Sequence, residues 1–343
     1  MSKKIVIILL AVSALVGLVG YFFVGRALWN VNVKLQDKTA FIEIPTDASF
    51  EDVKNIFLQN NYLIDINSFD RVATILGYKK DKVPGGRYKL QNGWSNKDLI
   101  TTLRSGNQTP SQVVINNIRK ISDLAGKASR YFETDSLGFL THFLKPETPS
   151  EYNLNQDNFL TLFIPNTYEM FWTTTPEKFV TRMAKEYERF WTDERVEKLK
   201  KWNLSKTDAY ILASIVEKES NYDPERPTIA GVYLNRLKVG EKLQADPTVV
   251  YAVGEFDLKR VLYSHLEYDS PYNTYMYNGL PPGPICMPSL ASLEAVINAE
   301  DHEYMFFCAK ADNSGIHAFA VTYADHVKNA NAFAAWMNKN NIR

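Results

Sequence analysis

Twenty consecutive residues near the start of this chain, Ile5 to Val24, carry no charge. A helix rises about 1.5 Å per residue, so such a run reaches about 30 Å, the thickness of a bilayer's hydrocarbon core. The sequence therefore predicts a transmembrane anchor over residues 1–26. A cleaved signal peptide is the alternative. Its apolar region runs roughly 7–15 residues and ends at a small-x-small site, which this run lacks. Lys3 and Lys4 precede the run and Arg26 follows it. That bias keeps the N-terminus in the cytoplasm and puts the rest of the chain outside, at the cytoplasmic (inner) membrane.

Behind this head the composition is that of a globular body. The chain of 343 residues holds 39 Lys+Arg, three of them in the head, against 39 Asp+Glu, all outside it. A body with no basic excess argues against nucleic acid as a partner. With 45% hydrophobic and 13% aromatic residues it can bury a large core, and its length suits two domains, or one with an appendage. Cys286 and Cys308 are its two cysteines. With no Cys-x-x-Cys or His-Glu-x-x-His, no zinc site is predicted, and a His317/His326 metal pair is disfavoured. Whether the two cysteines pair stays open.

Along the chain, Phe41–Ile44 alternates like a strand, and Glu51–Gln59 and Phe69–Leu76 repeat apolar residues at helical spacing. A turn at Pro84-Gly-Gly86 leads into Arg87–Leu90, Ser95–Leu103 is a short helix, and Gln112–Ile115 returns as a strand. Residues 38–116 thus form a small α+β module. Residues 117–343 form a second domain of mixed helical and β character, with its core at 205–330. Its proline- and tyrosine-rich stretch from Gln244 to Pro288 is loop-built, and loops on a rigid scaffold are where sites concentrate.

One helix in that core carries a carboxylate on the wrong face. Thr207–Asn221 has Thr207 or Asp208 as its N-cap and is bounded by Pro224. On a wheel of about 100° per residue from Ile211, the residues Leu212, Ile215 and Val216 centre near roughly 70°. Glu219 falls near roughly 80°, inside the apolar face, and Glu217 points away as solvated surface. Burial raises a carboxyl's pKa, and a carboxylic acid still protonated near neutrality is what general acid catalysis needs. The plainer alternative has Glu219 ending the helix in solvent or pairing with a lysine.

Ala213-Ser-Ile-Val-Glu-Lys-Glu-Ser220 resembles the catalytic segment of the MltG (YceG-like) endolytic murein transglycosylases. Val232–Leu237, Leu243–Tyr251, Ser270–Tyr275, Gly279–Ile285 and a final His317-Ala-Phe319 with Tyr323 and His326 match in the same order. The resemblance implies a LysM-like module before the catalytic domain. It implies a lyase that cleaves peptidoglycan glycan strands between MurNAc and GlcNAc to leave 1,6-anhydro-MurNAc ends. It makes Glu219 the catalytic acid, and the partners nascent glycan strands and cell-wall synthases (penicillin-binding proteins). Proton transfer and ring closure need no cofactor.

Gln244, Tyr272, Asn273, Tyr275 and His317 supply amide, phenol and imidazole groups suited to binding the sugar. Turn-fixing and core packing are the alternatives for Asn273 and the tyrosines, and a structural histidine for His317. Asp246, before Pro247, reads as a turn or cap. Two rival functions remain. One is a hydrolytic muramidase with a second carboxylate such as Asp246 or Glu169. The other is a silent glycan-binding scaffold for synthases.

Overall fold

The computed structural model describes residues 3–258 and 260–340. The chain divides into two compact units. The first comprises Met1–Val113 with Tyr131–Thr134 and Glu169–Thr175, and the second comprises the remainder.

The first unit holds α1 (Lys3–Trp29), β1 (Thr39–Ile44), α2 (Phe50–Asn60), α3 (Ile66–Ile75), β2 (Gly86–Gln91) and α4 (Asn96–Ser105). β1 and β2 pair antiparallel from Thr39–Gln91 to Ile44–Gly86. Ser49 and Ser95 open α2 and α4 with capping boxes to Asp52 and Asp98, each satisfying orphan helix donors. The alternation of β1 and β2 turns Ile42, Ile44, Tyr88 and Leu90 inward to meet Phe50, Phe57 and Phe69. Phe69 lies 5.6 Å from Phe50 and 5.3 Å from Phe57, ring to ring. Each such buried ring contributes about 2–3 kcal/mol of apolar transfer.

The transmembrane anchor expected over residues 1–26 is corrected here. Among the described residues no helix is long and apolar enough to cross a membrane. Many side chains of Ile5–Val19 lie outside the described ones, and those of α1 are described without a gap only from Gly20 to Trp29. That run of side chains contains Arg26. Its last turn belongs to the first unit: Ala27 and Leu28 pack on the core, and the Ala27 carbonyl accepts from the buried Asn96 amide at 2.9 Å. The fold as described is α+β without a membrane span.

From β3 (Ser111–Ile115) onward the chain builds α5 (Ile121–Ala128), α6 (Ser136–Phe143), α7 (Glu147–Ser150), β4 (Asn166–Met170), α8 (Pro176–Phe190) and α9 (Asp193–Lys200). Then come α10 (Lys206–Glu219), α11 (Arg226–Val239), α12 (Asp246–Val253), α13 (Tyr263–Leu266), α14 (Leu290–Ile297), β5 (Phe306–Ala309), β6 (His317–Ala320) and α15 (Tyr323–Lys339). An aromatic cluster of Phe139, Phe143, Phe159, Phe163 and Phe179 fills the second unit on the side of α6 and α8. The central helix is α10, buried without interruption from Ala209 to Val216 and packed by α11, α12 and α14. β5 and β6 form an antiparallel hairpin from Phe306–Ala320 to Ala309–His317.

Candidate active site

α10 begins two residues before the expected cap. Ser205 is the N-cap, its Oγ accepting from Asp208 N at 3.0 Å while the Asp208 carboxylate accepts from Ser205 N at 3.0 Å. The capping box uses Asp208 as its third helical residue, so that acid is spent on the helix start. At the other end Glu219 is the last helical residue, and Ser220 turns extended at φ −142°.

Glu219 is only partly exposed. Its Oε1 accepts from the Tyr233 hydroxyl of α11 at 2.5 Å, and the Tyr233 ring is held edge-on against Phe307 at 5.8 Å. Burial pushes the Glu219 carboxyl up to about 7; the Tyr233 hydrogen bond works against that, the Asp246 charge adds to it, and Arg236 opposes it weakly. Burial likewise holds the Tyr233 phenol well above its ordinary range, so it remains a donor at any working pH.

Glu219 opens into a cleft of about 540 Å³, shared with Asp246, Tyr251, Phe256, Arg119 and Lys218. A larger cleft, about 740 Å³, lies around Trp202 and Lys238 at the start of α10, where the acid, Asp208, is consumed by the cap. The smaller cleft, which holds the raised carboxyl, is therefore the candidate for the chemistry. Asp246 opens α12, and its Oδ1 accepts from Tyr275 Oη at 2.6 Å. Burial and Asp246 raise the Tyr275 phenol, with a further push from Glu219. Asp246 thus does more than start a helix: it faces the acid.

The other expected residues divide. Gln244 is exposed, sits at φ +50°, and receives a long contact from Arg236 Nη1 at 3.4 Å. Arg236 also donates to the Met305, Lys242 and Leu243 carbonyls. Tyr272 packs against Tyr251, ring centres 4.8 Å apart, and Tyr251 lines the cleft. Asn273 is fully buried. Its amide donates to the Leu266 and Tyr268 carbonyls and its Oδ1 accepts from Tyr275 N, so its hydrogen bonds build the loop that presents Tyr275. His317 opens β6, with both N and Nδ1 placed 2.9 Å from the Glu225 carboxylate. Glu169, one of the hydrolase candidates, accepts from Gln112 Nε2 at 2.6 Å and belongs to the first unit.

Glu217 is a correction. Expected as solvated surface, it accepts from Ser289 N at 3.0 Å, Ser289 Oγ at 2.6 Å and Ser292 Oγ at 2.7 Å. Burial pushes its pKa up, but these donors and Arg226 win, and the carboxyl is held below its ordinary value. The reason is α14, which covers the side of α10 that the wheel assigned to water. Glu225 was not anticipated either. It accepts from Ser220 Oγ at 2.5 Å as well as from His317, and these donors overcome its burial to hold it low. Ser220 O also accepts from Arg226 Nε at 3.1 Å, so the residue following Glu219 is bolted on two sides. A Glu-to-Ser-to-His relation over 97 residues leaves no local signature.

The strap from Pro281 to Cys286 closes over the middle of α10, with Ile285 N donating to the buried Ser214 Oγ at 3.0 Å. Gly283 is obligatory there, since a Cβ would lie 1.9 Å from the Asp157 carbonyl oxygen. Cys286 is buried, its thiol pushed up to about 12 by desolvation, and both cysteines are free. Among the described residues no three His, Cys, Asp or Glu side chains gather as metal ligands. The arrangement can deliver and retrieve one proton at a partly enclosed carboxyl.

Comparison with known proteins converges on one group. The model of the YceG-like family matches residues 42–332. The chain is 29% identical over 325 residues to the endolytic murein transglycosylase of Bacillus subtilis (strain 168), covering 90% of this chain and 89% of that protein. It is 24% identical over 354 residues to the endolytic murein transglycosylase of Streptococcus pneumoniae serotype 2, covering 94% of this chain and 63% of the relative. The chain thus spans under two thirds of the pneumococcal protein's length. A crystal structure of a YceG-like protein from Listeria monocytogenes matches with a TM-score of 0.57 and 28% identity, over 85% of this chain and 98% of that one.

Proposed function

The chain belongs to the YceG-like family, and from that premise we propose how its cleft works. The protein is a peptidoglycan lyase, an endolytic lytic transglycosylase that cuts glycan strands between MurNAc and GlcNAc in cell-wall assembly. Glu219 is its general acid and base. Tyr233 occupies Oε1 as a donor, which leaves Oε2 to carry the transferable proton.

The reaction then needs one side chain for both proton transfers. Glu219 Oε2–H protonates the departing GlcNAc O4 as the C1–O4 bond breaks and positive charge develops at MurNAc C1. The new carboxylate accepts the proton of the MurNAc C6 hydroxyl, and O6 closes on C1. The strand supplies its own nucleophile, so no water is consumed and Glu219 ends as it began. Tyr275 and Gln244 offer a phenol and an amide for the N-acetyl and hydroxyl groups, Tyr272 backs the Tyr251 wall, and Asn273 shapes the loop. His317, oriented by Glu225, offers its Nε2. The site of action is the extracytoplasmic face, beside the synthases that extrude new strands.

The observation that carries this reading is the raised, phenol-bound carboxyl of Glu219 inside a cleft. Mass spectrometry of products from purified glycan strands, treated with the chain or with Glu219→Gln, tests it. Anhydro-ended fragments from the parent alone are expected. Reducing ends one water heavier would instead make Asp246, which shares the cleft, the base of a hydrolytic route. Equal fragmentation by both proteins would remove Glu219 from the chemistry.

A further inference from the structure

The cleft that holds Glu219 is edged by three cations, Arg119, Lys218 and Arg260. None forms an ion pair among the described residues. Cations without an ion pair occur elsewhere in this chain, but here three of them edge one cleft together with the acid. The body as a whole is slightly acidic, so a cluster of unspent positive charge at one cleft is not a reflection of composition.

Arg119 is the best defined of the three. Its guanidinium lies over the Phe256 ring, 3.9 Å from the centroid, and its backbone N–H is fixed by the Asp123 carboxylate at 3.3 Å. A guanidinium stacked on an aromatic face keeps its N–H donors free along its edge. No protein acceptor uses them among the described residues. A planar fork of free donors matches a carboxylate in bidentate geometry. Lys218 adjoins the catalytic acid in sequence and adds a point charge beside it.

A sugar backbone is neutral and gives such a rim nothing to pair with. MurNAc carries the anion: its O3 lactyl group ends in a free carboxylate, or continues into a stem peptide with carboxylates of its own. We propose that Arg119, with Lys218 and Arg260, forms a subsite for a carboxylate borne on the O3 substituent of MurNAc, so that the enzyme selects strands by the charge of that substituent. This rests on the lytic transglycosylase reading of the cleft. The rim acts on binding and register, so its contribution falls on KM more than on kcat.

The test compares kcat/KM of the full chain, Arg119→Ala and Arg119→Lys on three strands: peptide-bearing, amidase-stripped with free lactyl carboxylates, and stripped with those carboxylates converted to neutral methylamides. The parent should prefer charged strands, and added salt should weaken the preference. Arg119→Ala should cut the charged-to-neutral ratio by about ten-fold, the size of one charge-assisted contact, and Arg119→Lys should recover part of it. Preference for the stripped, charged strand alone assigns the lactyl carboxylate, preference for the peptide-bearing strand alone assigns the stem peptide, and preference for both means that the rim takes either carboxylate. A parent indifferent to charge overturns the proposal, as does an Arg119→Ala loss equal on all three strands. Should Arg119→Ala fail to fold, Arg260→Ala and the parent's salt dependence carry the same comparison. Absence of anhydro ends from every strand would instead strike the underlying reading.

Discussion

Two regions at the end of α10 bury carboxyls and treat them in opposite ways. On the α14 side, Glu217 receives three hydrogen bonds from Ser289 and Ser292, and nearby Glu225 receives three from Ser220 and His317. Both are held below their ordinary pKa. On the cleft side, two residues from Glu217, Glu219 receives one hydrogen bond, from Tyr233, and is pushed up to about 7. Burial raises all three. What separates a carboxyl held low from one pushed up here is the number of donors supplied.

The sharpest break of this contrast is Glu219→Gln. It keeps the shape and removes the proton, so kcat for anhydro-end formation should fall by about 10³-fold with KM little changed. Product counting by mass spectrometry reads it, and retention of more than a tenth of the rate would dismiss Glu219 as the acid.

Next in size is Glu225→Ala, which strips the donors Ser220 and His317 of a buried anion. Urea unfolding near neutral pH should show a loss of about 3 kcal/mol. Because Glu225 is held low, its contribution is present above the ordinary carboxylate range and is lost as pH falls through the depressed value. Parent and variant should therefore converge in strong acid. A constant gap at every pH would show that packing, not charge, sets the loss.

Glu219 should behave with the reverse sign. Its folded-state value lies above the unfolded one, so its contribution is intact below the ordinary carboxylate value and is lost as pH rises through about 7. Glu219→Gln, inactive though it is, should be more stable than the parent at mildly alkaline pH, by on the order of 2 kcal/mol, and no more stable in acid. Thermal melts across pH settle the point, and a destabilised variant at alkaline pH contradicts it.

The smallest effect belongs to Tyr233→Phe. The Tyr233 hydrogen bond holds Glu219 down, so removing it should move the alkaline limb of the pH–rate profile upward. A downward shift would mean that water replaces the phenol and relieves the burial.

The inward Glu219 was legible in the sequence, since a helical wheel needs only spacing. So was much of the small α+β unit, whose strands and helices alternate in short periodic runs such as Phe41–Ile44 and Glu51–Gln59. The fate of Glu217 was not legible, because a wheel assigns its side to solvent while α14 covers that side of α10. Ser289 and Ser292 reach it from 72 and 75 residues away. The cap slipped by two residues because Ser205, Thr207 and Asp208 are all competent, and only the capping box distinguishes them. The apolar head suggested a span that the described helix does not supply. Arg119 escaped for the same reason as Glu225: side chains far apart in sequence became neighbours only through folding.

The position of Glu219 at the very end of α10 has one more consequence. The aligned peptide dipoles of a helix gather partial negative charge at its C-terminus. In the proposed reaction, a carboxylate left there after the proton goes to the leaving sugar sits in a repulsive field that favours taking a proton back. In that reaction the backbone of α10 would act as a restoring force on the acid, favouring its reset for the next cut.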